Sequence, residues 1–461
     1  MARIIVVGAG MAGLAAAARL ATRDNSVLVC EAADTVGGAL GSWRYDDDLG
    51  FDLGAYTLTL PAAYRDLFIK TGSRKKSAAA TLEDRLDLRP IDPVRRYLFP
   101  DGTRLDLPNA SRGRLVAAFD EAFGAGAGPA WLRVVDHGSQ VWDAIRPALV
   151  EAPGAGGREL VRLLRTTAGR RALTPFHSLR QLAGGWFATP GLFLLLDDYA
   201  RQAGANDARR APAALAARVY LEQAFGAWRI VGGLHKLAEE LGQRVLDRGA
   251  EIRCGTRVER IERSAAGGVS GVVLEGGERI AADVVVAGVD QAVLARLLGR
   301  RARKHAYSTA VTTMCLVVDQ ADAPTMPHET VLLAQNGPAV RVHVAAEQPS
   351  AWTVHIPAAG DQQPEFDEVL GLLAARGIDL RGKARVVHTV GAADRAAATG
   401  VPGGAAYGPA VNSLRSALLR SPVRQPVSGL FHVGASARPG SGLSFTALSG
   451  WHAAELIRPR R

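Results

Sequence analysis

The chain has 461 residues, of which 48% are hydrophobic and 22% charged. At roughly 150 residues per domain that length exceeds a single small unit, and the composition excludes disordered and fibrous classes. A count of 55 Lys+Arg against 45 Asp+Glu leaves a net charge of +10. The basic residues come as short scattered clusters, such as Arg74-Lys75-Lys76 and residues 300–304, and aromatics, at 6%, do not interleave with them. That distribution suits a solvated surface or weak attraction to an anionic membrane, and argues against nucleic-acid binding. Cys30, Cys254 and Cys315 make neither a disulfide framework nor a metal-ligand spacing, which points to a reducing, cytoplasmic compartment.

In chain order, residues 4–7 are a continuous β-branched run that reads as a buried parallel strand rather than a signal peptide. Gly8-Ala9-Gly10-Met11-Ala12-Gly13 follows, then an Ala- and Leu-rich helical stretch over 14–21, a second apolar run over 26–30, and Glu31. Strand, glycine turn, helix, strand and acid together predict a dinucleotide site. Gly8 makes the tight turn, Gly10 admits a pyrophosphate, Gly13 packs helix on strand, and the Glu31 carboxylate reaches a ribose.

Past Glu31 stand Gly37-Gly38, Arg44 and Gly50-Phe51-Asp52-Leu53-Gly54. With this second glycine pair the chain resembles the FAD-dependent amine oxidase and phytoene desaturase superfamily. That family usually has Arg directly after the pair. Here Ala39 stands there, so either Arg44 substitutes for it or a phosphate contact is lost. Trp228-Arg229-Ile230-Val231-Gly232-Gly233-Leu234, an amphipathic helix over 235–248 and a strand carrying Val258 are similar to the same superfamily. So are a hairpin turning at Gly276-Gly277 and the buried strand within 282–290.

The C-terminal Gly434-Ala435-Ser436 and Arg438-Pro439-Gly440-Ser441-Gly442-Leu443, with a helix to Ile457, resemble the phytoene desaturase branch. The resemblance implies FAD held by Gly8, Ala9, Gly10, Met11, Ala12, Gly13, Glu31, Ala32, Gly38, Ala39, Arg44, Gly54, Ala55, Tyr56, Val258, Gly434, Ala435, Gly442, Leu443 and Ser444. In relatives the backbone at Val258 reaches the adenine; without the resemblance, the residue reads as an ordinary buried strand position. The N-terminus of the last helix would stabilise negative charge on the reduced ring. Carotenoid-desaturating relatives usually have His where Arg438 stands and Pro where Ser444 stands, which bears on the substrate and not on the cofactor.

The implied fold class is α/β: a discontinuous Rossmann-like FAD-binding domain from residues 1–65, 228–300 and 400–461, and a mixed-sheet plus helical substrate domain from 66–227 and 301–399. Residues 110–227 read as helices broken at Gly/Pro joints, and 307–318, 328–334, 339–345 and 351–357 as strands flooring the substrate cavity. The apolar run over 192–196 reads either as a buried helix turn or as the lining of a tunnel or membrane-dipping entrance. His235, His343, His355 and His388 read as structural, Asp46-Asp47-Asp48 as a solvated turn, and neither metal nor catalytic-triad spacing occurs.

The resemblance implies a desaturase or oxidase of a lipophilic polyene or specialised metabolite, passing hydride to flavin N5, with oxygen or a quinone as electron acceptor. The competing functions are a flavin-dependent isomerase without net oxidation and a non-catalytic prenyl-carrier escort. A greasy tunnel would favour a carotenoid; a pocket with charged walls would favour a small metabolite.

Overall fold

The computed structural model describes residues 1–72, 81–319, 324–358 and 363–457; the basic cluster Arg74-Lys75-Lys76 lies outside them. The β-branched runs Arg3–Val7 and Ser26–Cys30 pair in parallel, and strands from far along the chain extend them into a five-stranded sheet. Its order is Glu251–Arg253, Ser26–Cys30, Arg3–Val7, Val284–Ala287 and Leu430–His432, every pair parallel. Alternate residues face opposite ways, as a pleated strand demands. Ile4, Val6, Val27, Val29, Val286 and Phe431 meet helices on one face. Ile5, Val7, Cys30, Val285 and Leu430 meet a smaller antiparallel sheet, Val258–Arg263, Val269–Leu274 and Arg279–Ala281, on the other. Burial on both faces explains why these strands carry apolar runs instead of alternation.

The first helix, Met11–Leu20, is nearly all Ala, Gly and Leu, and nine of its ten residues are buried. Small side chains let two backbones reach it. A Cβ on Gly13 would stand 2.0 Å from the Gly8 carbonyl oxygen, and one on Gly450 would stand 2.7 Å from both the Ala12 oxygen and the Ala16 nitrogen. The final helix, Leu443–Leu456, therefore lies directly on the first, and the chain's ends are joined through helix backbone.

Residues between these blocks build a seven-stranded mixed sheet. Its order is Ala384–Val390, Val311–Val318, Gln348–Pro357, Val340–Ala345, Glu329–Leu332, Arg95–Leu98 and Arg104–Leu107. Only Glu329–Leu332 and Arg95–Leu98 run parallel. One face packs Met314, Leu316, Val342, Val354 and Trp352 against the helix Phe366–Ala374. The opposite face looks toward the helices between 112 and 225. Among these, Pro190–Gln202 absorbs the apolar run: Leu192, Leu195 and Leu196 are buried in the helical core, so the buried-helix reading holds.

Asp46-Asp47-Asp48 is an exposed turn, with Asp46 accepting from the amides of Asp48 and Leu49. Among the described residues no helix is long and apolar enough to cross a membrane. Gly450→Val should lower stability by about 3 kcal/mol or more, since two helix backbones must part to admit the side chain. A thermal melt within about 2 °C of the parent would refute this packing.

Candidate functional site

Parallel strands end on a common edge, and in open α/β sheets ligands bind beyond the carboxyl ends. Arg3–Val7 runs into Gly8, Ser26–Cys30 into Glu31, Val284–Ala287 into Gly288, and Leu430–His432 toward Gly434. Gly8 has φ 94°, the left-handed geometry that favours glycine. Gly10 caps the first helix and offers no side-chain acceptor to its first-turn amides. A Cβ there would meet nothing within 4 Å, so the space in front of that helix end is open. Free amides, positive dipole and open space together make a cradle for a phosphate.

The second glycine pair lies against this turn. The Gly37 amide donates to the Ala9 oxygen at 2.9 Å, and a Cβ on Gly38 would come within 3.2 Å of the Gly10 Cα. Gly54 in turn rests on Ala39, whose oxygen would be 1.8 Å from an added Cβ. Glu31 accepts from the amides of Ala9 at 2.6 Å and Ala33 at 2.8 Å. Its carboxylate thus anchors the turn and retains lone pairs for hydroxyl donors. The Thr256 amide donates to the Glu31 oxygen at 2.6 Å, which sets Val258 near Cys30 in the same apolar cluster.

The far end closes on the same edge. Gly434 donates to Ser449 Oγ at 2.9 Å, and Gly442 caps the final helix, again without a side-chain acceptor. Ser444 Oγ donates to the carbonyls of Thr59 at 2.7 Å and Leu60 at 2.9 Å, and Tyr64 donates to the Leu443 oxygen at 2.9 Å. Hence 54–64 is held between the glycine turns and the last helix. Arg44 is placed differently. It pairs with Gly50 toward the exposed tip of the hairpin Ser42–Arg44 and Gly50–Asp52, whose base carries Gly41 and Leu53.

Two arginines that no local sequence pattern marks border this site. Arg218 donates to the Ser441 oxygen at 2.6 Å and lies 4.1 Å over the Phe445 ring. Arg420 donates to the Ala435 oxygen at 2.8 Å. Burial, and then the Arg420 charge, lower the Arg218 guanidinium to about 10; burial brings Arg420 to about 10 as well. Their charges reinforce the positive end of the final helix, where an anionic group would sit well.

The larger surprise is the sheet face toward the helices. Alternation places Arg95, Tyr97, Glu329, Arg341, His343, Thr353, His355 and Thr313 on it. Arg95 holds Glu222 at 2.5 Å and Glu329 at 3.0 Å, while Arg341 holds Glu329 at 2.5 Å and also Asp198. Tyr199 donates to Glu222 at 2.5 Å and Tyr97 to Asp198 at 3.3 Å. Burial acts to raise the Glu329 carboxyl, but Arg95 and Arg341 outweigh it and hold it at about 2. The network ties helices Pro190–Gln202 and Ala216–Phe225 to three strands.

Beside it, the Tyr56 ring stacks on His343 with centroids 4.3 Å apart, and His328 meets His343 edge-on at 4.5 Å. His328 Nε2 donates to the Tyr56 oxygen at 3.0 Å, and His355 Nδ1 lies 2.9 Å from Thr313 Oγ1. His328 Nδ1, His343 Nε2 and His355 Nε2 are buried without partners among the described residues, a condition that costs about 1–3 kcal/mol per group. Burial, and then neighbouring positive charge, pushes His355 down to about 3. No group of three or more metal-binding side chains occurs among the described residues. The sequence carried one sign of this face: charged and imidazole groups two apart in apolar strands, as in Arg341-Val342-His343.

Glu329→Gln should destabilise the protein by about 3–5 kcal/mol, because both arginines lose their shared counter-charge in a buried site. The folded carboxyl titrates below its ordinary 4.5, so its contribution is full above pH 4.5 and fades toward pH 2. Urea midpoints should fall across that window in the parent and less in the variant; equal slopes would overturn the assignment.

The model of the flavin-containing amine oxidoreductase family matches residues 11–354. The chain is 30% identical to a hydroxyneurosporene desaturase of Cereibacter sphaeroides, over 99% of this chain and 97% of that protein. It is 25% identical to a 4,4'-diapolycopene oxygenase of a Methylomonas species, over 99% and 97%. Among solved structures, an oxidoreductase from Methanosarcina mazei superposes with TM-score 0.64 at 18% identity, covering 98% of this chain and 100% of that one. A putrescine oxidase with a redesigned cofactor site superposes with TM-score 0.65 at 17% identity, over 98% of both chains.

Proposed function

The chain belongs to the flavin-containing amine oxidoreductase family and is an FAD-dependent oxidoreductase, and we propose that it is a desaturase that introduces a double bond into a lipophilic, polyene-type molecule. The relatives named for carotenoid desaturation and oxygenation motivate the substrate class. One observation within the chain carries the reading. The helices Ala127–Ile145 and Ala216–Phe225 turn an apolar surface toward the last helix, where Trp142 meets Phe445 edge-on at 6.2 Å, two residues beyond Leu443. A C–H bond held on that surface is kept from water beside the site proposed for the ring.

When bound, FAD supplies the hydride acceptor of the desaturation, and oxygen or a quinone takes the electrons onward. The chain's own contribution is placement. Residues Gly8, Ala9, Gly10, Met11, Ala12 and Gly13 would hold the pyrophosphate on helix amides, Glu31 would hold the ribose, and Ala32 with Val258 would meet the adenine. Gly38, Ala39, Gly54, Ala55 and Tyr56, together with Gly434 and Ala435, would hold the rest of the cofactor. Gly442, Leu443 and Ser444 set the helix end, and Arg218 beside it, against negative charge in the ring. These residues belong to a cofactor domain formed by 1–65, 228–300 and 400–461, with 66–227 and 301–399 enclosing the substrate.

A lipophilic substrate is collected at a membrane. The helices Gly157–Arg165 and Thr167–Leu173 expose Arg158, Arg162, Arg165, Arg170 and Arg171, and Phe176 just beyond is 92% exposed. Exposed basic side chains followed in sequence by a bare aromatic suit an anionic lipid surface. The protein should cosediment with phosphatidylserine-containing vesicles at low salt, and Phe176→Ser with Arg162→Glu should reduce that binding about tenfold or more. Equal binding to neutral vesicles would sink this surface.

Gly10→Val should leave the purified protein nearly free of flavin, because the side chain fills the cradle, and Glu31→Ala should weaken retention. Normal flavin content in either would remove that residue from the site. Mixed anaerobically with a carotenoid polyene, the holoprotein should lose its visible flavin absorbance and yield a product two hydrogens lighter. A product of unchanged mass would mean isomerisation instead.

A further inference from the structure

We propose that a cavity between the last helix and residues 149–155 is a binding site for a small apolar carboxylate. Its volume is about 310 Å³, at the lower end of the range for ligand pockets and enough for about ten atoms the size of a water molecule. His452 and Leu456, one turn apart on the helix Leu443–Leu456, form one wall. His452 stands about 14 Å along the axis from Leu443 at the helix start. None of the residues proposed to hold FAD lines the cavity, so it is a second site that does not depend on the desaturase reading.

Its lining joins apolar surface to positive charge that has no counter-ion. Leu149, Ala155, Val423 and Leu456 supply the apolar part, and Arg424 and Arg438 the charge. No Asp or Glu lines it among the described residues. Acids of the neighbouring segments are engaged elsewhere: Glu151 faces Arg146 at 3.6 Å, Glu455 holds Arg23 at 2.8 Å, and Glu159 accepts from the Gly156 amide at 2.6 Å. Arg424 and Arg438 are held by carbonyl oxygens instead. Arg438 donates through Nε to the Arg420 oxygen at 3.1 Å and through Nη1 to the Ala155 oxygen, and Arg424 donates through Nη2 to the Leu456 oxygen at 2.8 Å. Such contacts fix each guanidinium while leaving its charge unneutralised and further N–H donors over.

The chemistry of the lining selects the ligand class. Burial lowers the Arg438 guanidinium and the Glu159 charge opposes that shift only in part, so an anion brought beside Arg438 gains from a charge short of its counter-ion. His452 adds no charge: burial takes it to about 4, so the ring is neutral near pH 7. A planar guanidinium fork matches the two oxygens of a carboxylate. Inorganic phosphate would answer the charge and leave the apolar walls uncovered, whereas an aliphatic alcohol would cover the walls and leave the charge. A carboxylate on a body of about eight carbons does both within the space available.

The test titrates octanoate, octanol and inorganic phosphate into the flavin-loaded protein, followed by isothermal calorimetry and by thermal melting. Octanoate should bind about tenfold or more tighter than either control and raise the melting temperature as its concentration rises. Arg438→Gln and Arg424→Gln should each weaken octanoate about tenfold, and Ala152→Trp, which fills the cavity from its lining, should abolish binding. Flavin content and the ligand-free melt report folding in each variant, and Arg424, being exposed, can be replaced with the core left in place. Octanol equal to octanoate means a merely apolar cavity, and phosphate equal to octanoate means an adventitious ion only; either result overturns the proposal. So does a failure of octanoate to bind, or binding that survives both Ala152→Trp and Arg424→Gln and therefore lies in another part of the protein.

Discussion

The close backbone contact of the first helix with its neighbours is the constraint on which the rest depends. Gly13 admits the Gly8 carbonyl and Gly450 admits the first helix, each at a separation no Cβ tolerates. The contact sets the amide-bearing end of Met11–Leu20 beside residues 434–442, more than 400 positions later in the chain. Two uncapped helix N-termini then open on one sheet edge, and their dipoles add where a diphosphate and an electron-rich ring would lie. Without that approach the strands could still pair, but the two halves of the cofactor cradle would stand apart.

The interior between the helices and the seven-stranded sheet is divided in character. Helices supply Trp142, Phe445 and their apolar neighbours, while the facing sheet supplies two arginines, their carboxylates and an imidazole cluster. Buried ion pairs contribute little net stability because desolvation opposes their attraction. Their effect is on specificity of packing: Arg95 and Arg341 can be satisfied only when Pro190–Gln202 and Ala216–Phe225 dock in one register over the strands. Beside this network, burial lowers His328, His343 and His355 and so favours their neutral form. The departures at Arg438 and Ser444 have comparable structural roles. Arg438 donates to carbonyls of Arg420 and Ala155, and Ser444 clasps Thr59 and Leu60.

How far the sequence could be read varies along the chain for physical reasons. Turn glycines and β-branched runs act locally, so the strand-turn-helix at 3–20 and the hairpin at Gly276-Gly277 are legible from a few residues. Arg44 as a phosphate contact is a reading from local spacing, whereas its place in the fold, an exposed position toward the hairpin tip, is set by strand pairing. Histidines 343 and 355 looked like ordinary strand positions because nothing adjacent in sequence reveals what faces them. Their partners, Tyr56 and Thr313, arrive from other strands and loops. Arg218 was silent for the same reason, since its target, the Ser441 carbonyl, lies 223 positions away.

Membership in a flavin-binding α/β fold and the cofactor follow from short patterns, because steric rules for glycine and alternation rules for strands operate over three to ten residues. The polarity of the inner face of the seven-stranded sheet, the neutrality of its imidazoles and the identity of the charges at the final helix belong to the tertiary structure alone. Those properties arise from desolvation and from groups meeting across hundreds of residues, and no local stretch of chain encodes either.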